Sequence, residues 1–288
     1  MIFPQFLNRN QNSFLSNSFY LYLSHFADYF LALILLPIIA KNVGAVEFGK
    51  IGLAQTYGIF ILLLMEFGSP LITTRKIALI KDDLRELKIF IGKILTFKIL
   101  IIPITFLITL FANKFIPIFK LNPNFIIIVT IGSIFQGISP VWYFQGIEKM
   151  KIIALSKFVF RLASFVAIIF FVKSPSDSWI VLLSFSVSSI FICLLLYLQM
   201  IGQTGKINLV RPIQVKSILF ESVNSFLISI VPVIHQNISI IILSFFVSPI
   251  QLGIYYGANK IYRAFNSLYS PISQAFFPMI SSLFYHNR

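Results

Sequence analysis

Pro140-Val-Trp-Tyr-Phe-Gln-Gly-Ile-Glu-Lys-Met-Lys151 closes a mostly apolar run that begins at Asn124. From Asn124 to Phe144 the run is close to the ~20 residues a helix needs to cross a bilayer. Trp142, Tyr143 and Phe144 arrive together at its end, rings of the kind that settle at a lipid–water boundary. Gly146 is placed to take the left-handed conformation that ends a helix, and Lys149 and Lys151 follow at once. The stretch reads as a membrane exit marked by an aromatic belt and a basic collar. It sets the expectation for the whole chain.

Composition agrees. At 58% hydrophobic and 11% charged residues, with mean hydropathy +0.90, the 288-residue chain is too apolar for a water-soluble globule. A net charge of +14 raises nucleic acid as a partner, but the 23 basic residues sit mainly in short segments between apolar runs, as loops of a multi-span membrane protein do. Cys193 is alone, which excludes an intrachain disulfide and a multi-cysteine metal site. Met1 to Asn17 lacks the basic start, apolar core and small-residue cleavage site of a signal peptide, so the first span is expected to stay in the membrane.

The expected class is an all-α integral membrane protein with about eight spans. These run roughly over Phe19–Ala40, Gly49–Phe67, Ile94–Ala112, Asn124–Phe144, Phe158–Val172, Trp179–Met200, Ile218–Phe246 and Leu252–Phe284. Pro37, Pro103 and Pro232 fall within spans, where neighbouring helices satisfy the freed carbonyls. Alternate sides of this layout hold fourteen and five basic residues, and the remaining four (Lys98, Arg161, Lys260 and Arg263) lie within spans. The bias places the N-terminus in the cytoplasm. Between the second and third spans, Ile77, Ile80, Leu84, Leu87 and Ile91 recur at three- and four-residue steps. That spacing predicts an amphipathic connector helix at the membrane surface, read first as an ordinary solvated connector packed against the bundle and second as a regulatory or partner element.

Glu47-Phe-Gly-Lys-Ile-Gly-Leu-Ala-Gln55 and Gln251-Leu-Gly-Ile-Tyr-Tyr-Gly-Ala-Asn259 form a short internal repeat. Gly49 matches Gly253, Ala54 matches Ala258, and amides Gln55 and Asn259 close both segments. An offset of six helices with the same orientation is the pattern of parallel-repeat transporters. The reading gives a complete six-helix N-terminal lobe over 1–205. A second lobe over 206–288 holds its first two helices and lacks the last four.

Charges inside the membrane are costly and mark candidate sites. Lys98 and Arg161 lie near span ends, where their heads snorkel outward. Lys260 and Arg263 lie roughly 12–16 Å deep and share one helix face, which points to a water-filled, anion-attracting cavity or to pairing with a carboxylate such as Asp28. Asp28 sits one turn from His25, a pair suited to proton coupling or to a static contact with His235. Glu66 ends the second span within reach of Arg75. No nucleophile–base pair, phosphate loop or zinc spacing is present, so no enzyme, cofactor or metal is expected.

The run Pro140 to Lys151 closely resembles the fourth-span signature of Wzx-type O-antigen flippases. Glu66-Phe-Gly-Ser-Pro with Thr74-Arg75 is similar to that family's Asp-Phe-Gly…Thr-Arg segment, with Glu in place of the usual Asp. Phe171-Val-Lys-Ser-Pro-Ser-Asp177, Gly253 to Ile261, and Pro271-Ile-Ser-Gln-Ala-Phe-Phe-Pro278 resemble further family segments in the same order. The resemblance implies a polysaccharide transporter of the MATE-like superfamily, with two six-helix lobes around a central cavity. Its substrate would be an undecaprenyl-pyrophosphate-linked oligosaccharide, flipped from the cytoplasmic to the periplasmic leaflet of the bacterial inner membrane for O-antigen or capsule. On that analogy Lys260 and Arg263 take the head group and Arg161 and Lys98 attract it. Trp142, Gln145, Glu148, Lys149, Glu66 and Arg75 form a cytoplasmic mouth, and polysaccharide polymerase machinery is an expected partner. Family members carry about a dozen or more spans, so a shortened and inactive form is also expected. Two other readings are a cation-coupled exporter of the same fold, expected to have an acidic lumen, and a non-transporting scaffold of a polysaccharide assembly complex.

Overall fold

The computed structural model describes residues 3–264, leaving aside the side chains at 3–19, 21–30, 32 and 71. The side chains of His25 and Asp28 and the Pro271–Pro278 stretch therefore lie outside the described residues. Among the described residues ten α-helices follow one another: α1 (Phe3–Glu66), α2 (Ser69–Ile80), α3 (Leu84–Phe115), α4 (Pro117–Leu121), α5 (Pro123–Ile138), α6 (Val141–Gly146), α7 (Met150–Phe171), α8 (Ser178–Thr204), α9 (Lys216–Leu243) and α10 over 249–264. No strand occurs among the described residues. Among the described residues six helical segments are long and apolar enough to cross a membrane, beginning with Leu33–Glu66. The chain is an all-α membrane protein.

α1 is two helices joined at Gly44, whose φ of 76° and ψ of 166° are not helical. Leu31 and Leu35 before the glycine line the same cavity as Gln55, Gly58 and Leu62 after it. A straight helix would hold Leu31 and Leu62 ~45 Å apart at 1.5 Å per residue. The chain therefore doubles back at Gly44, and its two arms correspond to the first two expected spans. A left-handed residue without a Cβ makes that reversal inexpensive.

The connector between α2 and α3 departs from expectation. The apolar spacing is continuous, but Asp83 interrupts the helix by accepting hydrogen bonds from the amides of Arg85 (2.9 Å) and Glu86 (3.0 Å). An N-cap carboxylate satisfies donors that a continuous helix would have paired internally. The result is a sharp turn, with α3 starting ten residues before the expected third span. Ile77, Ile80, Leu87 and Ile91 are buried in protein and Leu84 is exposed, so the stripe packs on the bundle. α7 likewise begins eight residues before the expected fifth span and carries Lys151 and Lys157 within it.

The aromatic exit is also different from its reading. Ser139 and Pro140 break the run between α5 and α6, and the short α6 folds back against α2. Trp142, Tyr143 and Phe144 are at most 3% exposed and join Ile77, Leu87, Ile153 and Met200 in one apolar cluster. They are core residues and do not form a lipid-facing belt. The left-handed residue is Glu148, with φ 59°. Gly146 is helical, and a Cβ there would overlap the Ile77 side chain.

Helix contacts rely on small and hydroxyl residues, as expected where lipid gives apolar surfaces no reason to leave it. Tyr57 on α1 donates to Thr109 on α3 (3.0 Å), and Thr109 bonds Thr130 on α5 (3.1 Å). Ser186 on α8 donates to the Ile128 carbonyl of α5 (2.9 Å). Long apolar side chains such as Leu107, Leu110, Phe111, Phe170 and Leu198 point outward. Six long helical arms precede Gly205. The segment after it crosses α3, where Thr96 accepts from the Val210 amide (3.1 Å) before α9 begins.

The two members of the internal repeat touch. A Cβ on Gly49 would overlap the Pro249 carbonyl oxygen, and a Cβ on Gly253 would overlap the Ala45 carbonyl oxygen. These contacts are images of each other at the repeat offset of 204 residues. The matched glycines thus let the second arm of α1 and the start of α10 meet backbone to backbone.

Candidate functional site

Three adjoining cavities run between the helices. The largest, about 420 Å³, is lined by both arms of α1, by α5, α7 and α8, and by Lys260 of α10. A second, about 180 Å³, lies toward Glu66 and shares Gln136, Arg161 and Ser189 with the first. A small recess beneath α10 shares Gln55, Ile59 and Lys260 with the first. Shared lining residues set the three in a row inside an apolar bundle.

Cations mark that row from end to end. Arg263 and Lys260 line the recess, Lys260 and Arg161 the large cavity, and Arg161, Lys157 and Lys98 the second cavity. Glu66 is the carboxylate among these lining residues. The structure therefore brings together all four cations that the sequence places inside spans, and adds Lys157.

Each cation is held differently. Lys98 is completely buried, and its Nζ donates to the carbonyls of Gly137 (2.7 Å) and Met65 (3.2 Å). Those oxygens belong to the last turns of α5 and α1, where helix carbonyls lack internal partners and carry the negative end of the dipole. The expected snorkelling of Lys98 does not occur, because capping two helix ends beside Glu66 satisfies the ammonium inside. Arg161 lies over the Phe185 ring, 5.4 Å from its centre, and Lys260 lies 5.4 Å from the centre of Tyr256. An aromatic face steadies a cation without neutralising its charge. The Tyr256 hydroxyl donates to Gln55 Oε1 (2.5 Å), fixing that ring against α1.

Arg263 turns toward α9. It donates to Asn237 Oδ1 (3.0 Å), Asn259 Oδ1 (3.3 Å) and the Gln236 carbonyl. It clamps α10 to α9 while lining the recess. His235, expected as a partner for the first span, is exposed.

The expected mouth residues divide into two groups. Trp142, Gln145 and Glu66 line the second cavity. Glu66 sits in the field of Lys98 and Lys157, whereas Arg75 lies exposed on α2. Glu148 pairs with Lys81 (3.3 Å) and Lys149 donates to Gln203 (3.1 Å), both at the surface.

Sequence reasoning misses Lys157, because its position reads as a loop. Its place four residues before Arg161 puts both on one face of a helix once α7 is started at Met150. Gln136, Ser139 and Ser189 carry no comparable signal, since lone hydroxyls and amides in apolar runs are common. Among the described residues no group of His, Cys, Asp or Glu could hold a metal ion.

Comparison with known proteins adds an independent line. Residues 14–284 match the family model described as "Polysaccharide biosynthesis protein". The chain is 29% identical to an Escherichia coli (strain K12) protein named "Putative O-antigen transporter", over 98% of this chain and 68% of that protein. It is 26% identical to a Shigella dysenteriae protein of the same name, over 93% of this chain and 67% of that protein. No solved structure matches it. With nearly its whole length inside the family model, and with the apolar helices and family-like segments already described, the chain belongs to the polysaccharide biosynthesis protein family.

Proposed function

We propose that this chain moves an undecaprenyl-pyrophosphate-linked oligosaccharide from the cytoplasmic to the periplasmic leaflet of the bacterial inner membrane, for O-antigen or capsule assembly. The carrying observation is the row of cations along adjoining cavities inside an apolar bundle. Such a row attracts a phosphorylated head group while the outward apolar surface accommodates the lipid tail. The names of the Escherichia coli and Shigella dysenteriae relatives support the same reading.

In this scheme Lys260 and Arg161 receive the pyrophosphate in the large cavity. Arg263 and Lys98, engaged with α9 and with two helix ends, extend the positive field on either side. Residues 1–205 act as one six-helix lobe and 206–288 as part of a second, with the reciprocal Gly49 and Gly253 contacts on the axis between them. The basic bias of alternate loops puts the N-terminus and the Glu66 end in the cytoplasm. Asp28 and His25 serve proton coupling, and the polysaccharide polymerase machinery is the downstream partner. An exporter of organic cations would need an acidic lumen, whereas here one carboxylate faces five cations among the lining residues.

The test has two arms. Expression of the chain in a flippase-null strain is expected to restore surface polysaccharide, and failure would remove the transport reading for this chain acting alone. Purified protein is expected to bind an undecaprenyl pyrophosphate, and Lys260→Ala and Arg161→Ala are each expected to weaken that binding at least tenfold. Unchanged binding in both variants would refute the head-group assignment.

A further inference from the structure

Cations explain the large cavity, but they leave part of the second one unexplained. Trp142 and Ser139 both line it, and the buried indole Nε1 of the one and hydroxyl of the other have no hydrogen-bond partner. Trp142 is 2% exposed and Ser139 is 4% exposed, so solvent does not compensate them. Buried polar groups are nearly always paired, because an unpaired donor forfeits its bonds to water and gains nothing in return. Two such orphans among the residues lining one cavity of about 180 Å³ are unusual. That space is far larger than the ~10–15 Å³ that a single water needs.

We infer that the second cavity is a saccharide subsite, which takes the sugar ring next to the pyrophosphate while Trp142 and Ser139 hydrogen-bond its hydroxyl or amide groups. The inference rests on the lipid-linked oligosaccharide reading given above. Three observations favour a sugar over a second phosphate. The indole is a donor only, the serine both donates and accepts, and the Gln145 amide does both. That mixture suits a ligand rich in hydroxyls. Glu66, on the same wall, accepts from hydroxyls and offsets part of the positive field of Lys98, Lys157 and Arg161 there. Arg161 lines both cavities, so a phosphate held by it in the large cavity leaves the attached ring at the entrance to the second.

The orphaned groups also predict an inversion. Ser139→Ala keeps the Cβ and deletes only the unpaired hydroxyl, so the ligand-free protein is expected to unfold at the same or a higher temperature. A residue serving structure alone would show the opposite.

The probes are undecaprenyl pyrophosphate without sugar and the same lipid carrying one hexose, one N-acetylhexosamine or one 6-deoxyhexose, each titrated against the full chain in lipid nanodiscs. At least one sugar-bearing lipid is expected to bind about tenfold more tightly than the bare lipid. Trp142→Phe and Ser139→Ala are each expected to remove most of that advantage while leaving the bare lipid within twofold of wild type. If the bare lipid binds and no sugar improves it, the subsite falls and the flippase reading stands. The subsite falls equally if the variants weaken bare and sugar-bearing lipids alike. If no lipid binds, both readings fall together.

Discussion

The helix start at Glu47–Gln55 and its counterpart at Gln251–Asn259 share a glycine, an alanine and a terminal amide, yet they bring opposite charges to the cavities. Where α10 carries Lys260 and Arg263, the corresponding positions on α1 are Thr56 and Ile59, and all four line the same recess. Thr56 is buried and bonds its own helix at the Gly52 carbonyl (2.8 Å). Further along, the α1 arm ends in Glu66, at the far end of the row of cavities. Backbone geometry has been kept symmetrical while charge has not. The first copy is scaffold with an acid at its end, and the second supplies the bases.

The symmetrical part is the easiest to break. Gly49→Val and Gly253→Val each force a side chain into the facing carbonyl, where rigid backbone cannot give way. Each is expected to cost about 3 kcal/mol, the upper end for overpacking, read as thermal unfolding in detergent. The two losses should be equal. A large loss for one glycine with none for the other would show that the contact is not reciprocal.

The asymmetrical part is tested by matched truncations. Lys260→Ala removes a charge-assisted contact worth ~1.5–3 kcal/mol, about a tenfold to hundredfold loss in lipid pyrophosphate affinity. Thr56→Ala, at the equivalent place on α1, is expected to change that affinity less than threefold. Comparable losses from both would make the recess, and not its cation, the binding determinant.

Much of this comparison is legible in the sequence. The neighbours of Gly49 and Gly253 alone pair the two glycines, and their contact shows that the two segments share an environment. Lys260 and Arg263 stand out by depth in an apolar run, a criterion that holds whatever the neighbours are. What sequence does not supply is the three-dimensional partner. Lys98 reads as able to snorkel when its distance from a span end is measured along a helix that in fact begins earlier. Two carbonyls from distant helix ends then hold it inside. Trp142 reads as interfacial because aromatic composition does not distinguish a ring facing lipid from one folded under α2. The break at Ser139-Pro140 decides that, and its direction depends on tertiary packing.

Arg263 offers a smaller test of how the second copy is seated. Asn237 is buried, bonds the Val233 carbonyl through Nδ2 (2.9 Å), and accepts from Arg263 through Oδ1. Asn237→Ala is expected to cost about 1 kcal/mol of stability, the typical worth of a hydrogen bond, because Asn259 and the Gln236 carbonyl still hold the guanidinium. Lipid pyrophosphate affinity should stay within twofold. A drop as large as that of Lys260→Ala would recast Arg263 as a direct ligand that Asn237 positions.

The smallest expected effect concerns the acid of the first copy and has the opposite sign. Glu66 shares its cavity wall with Lys98, Lys157 and Arg161, and its carboxylate opposes an incoming anion. Glu66→Gln keeps the shape and removes the charge, so lipid pyrophosphate should bind about threefold more tightly, under ~1 kcal/mol in free energy. Added salt should narrow that gain, because the gain is a field effect felt across the cavity and screening shortens its reach. Weaker binding would mean instead that Glu66 holds Lys157 or Arg161 in the geometry the head group needs. The first copy of the repeat would then take part in recognition through its acid, and the division between an acid-tipped scaffold and a cationic partner would have to be redrawn.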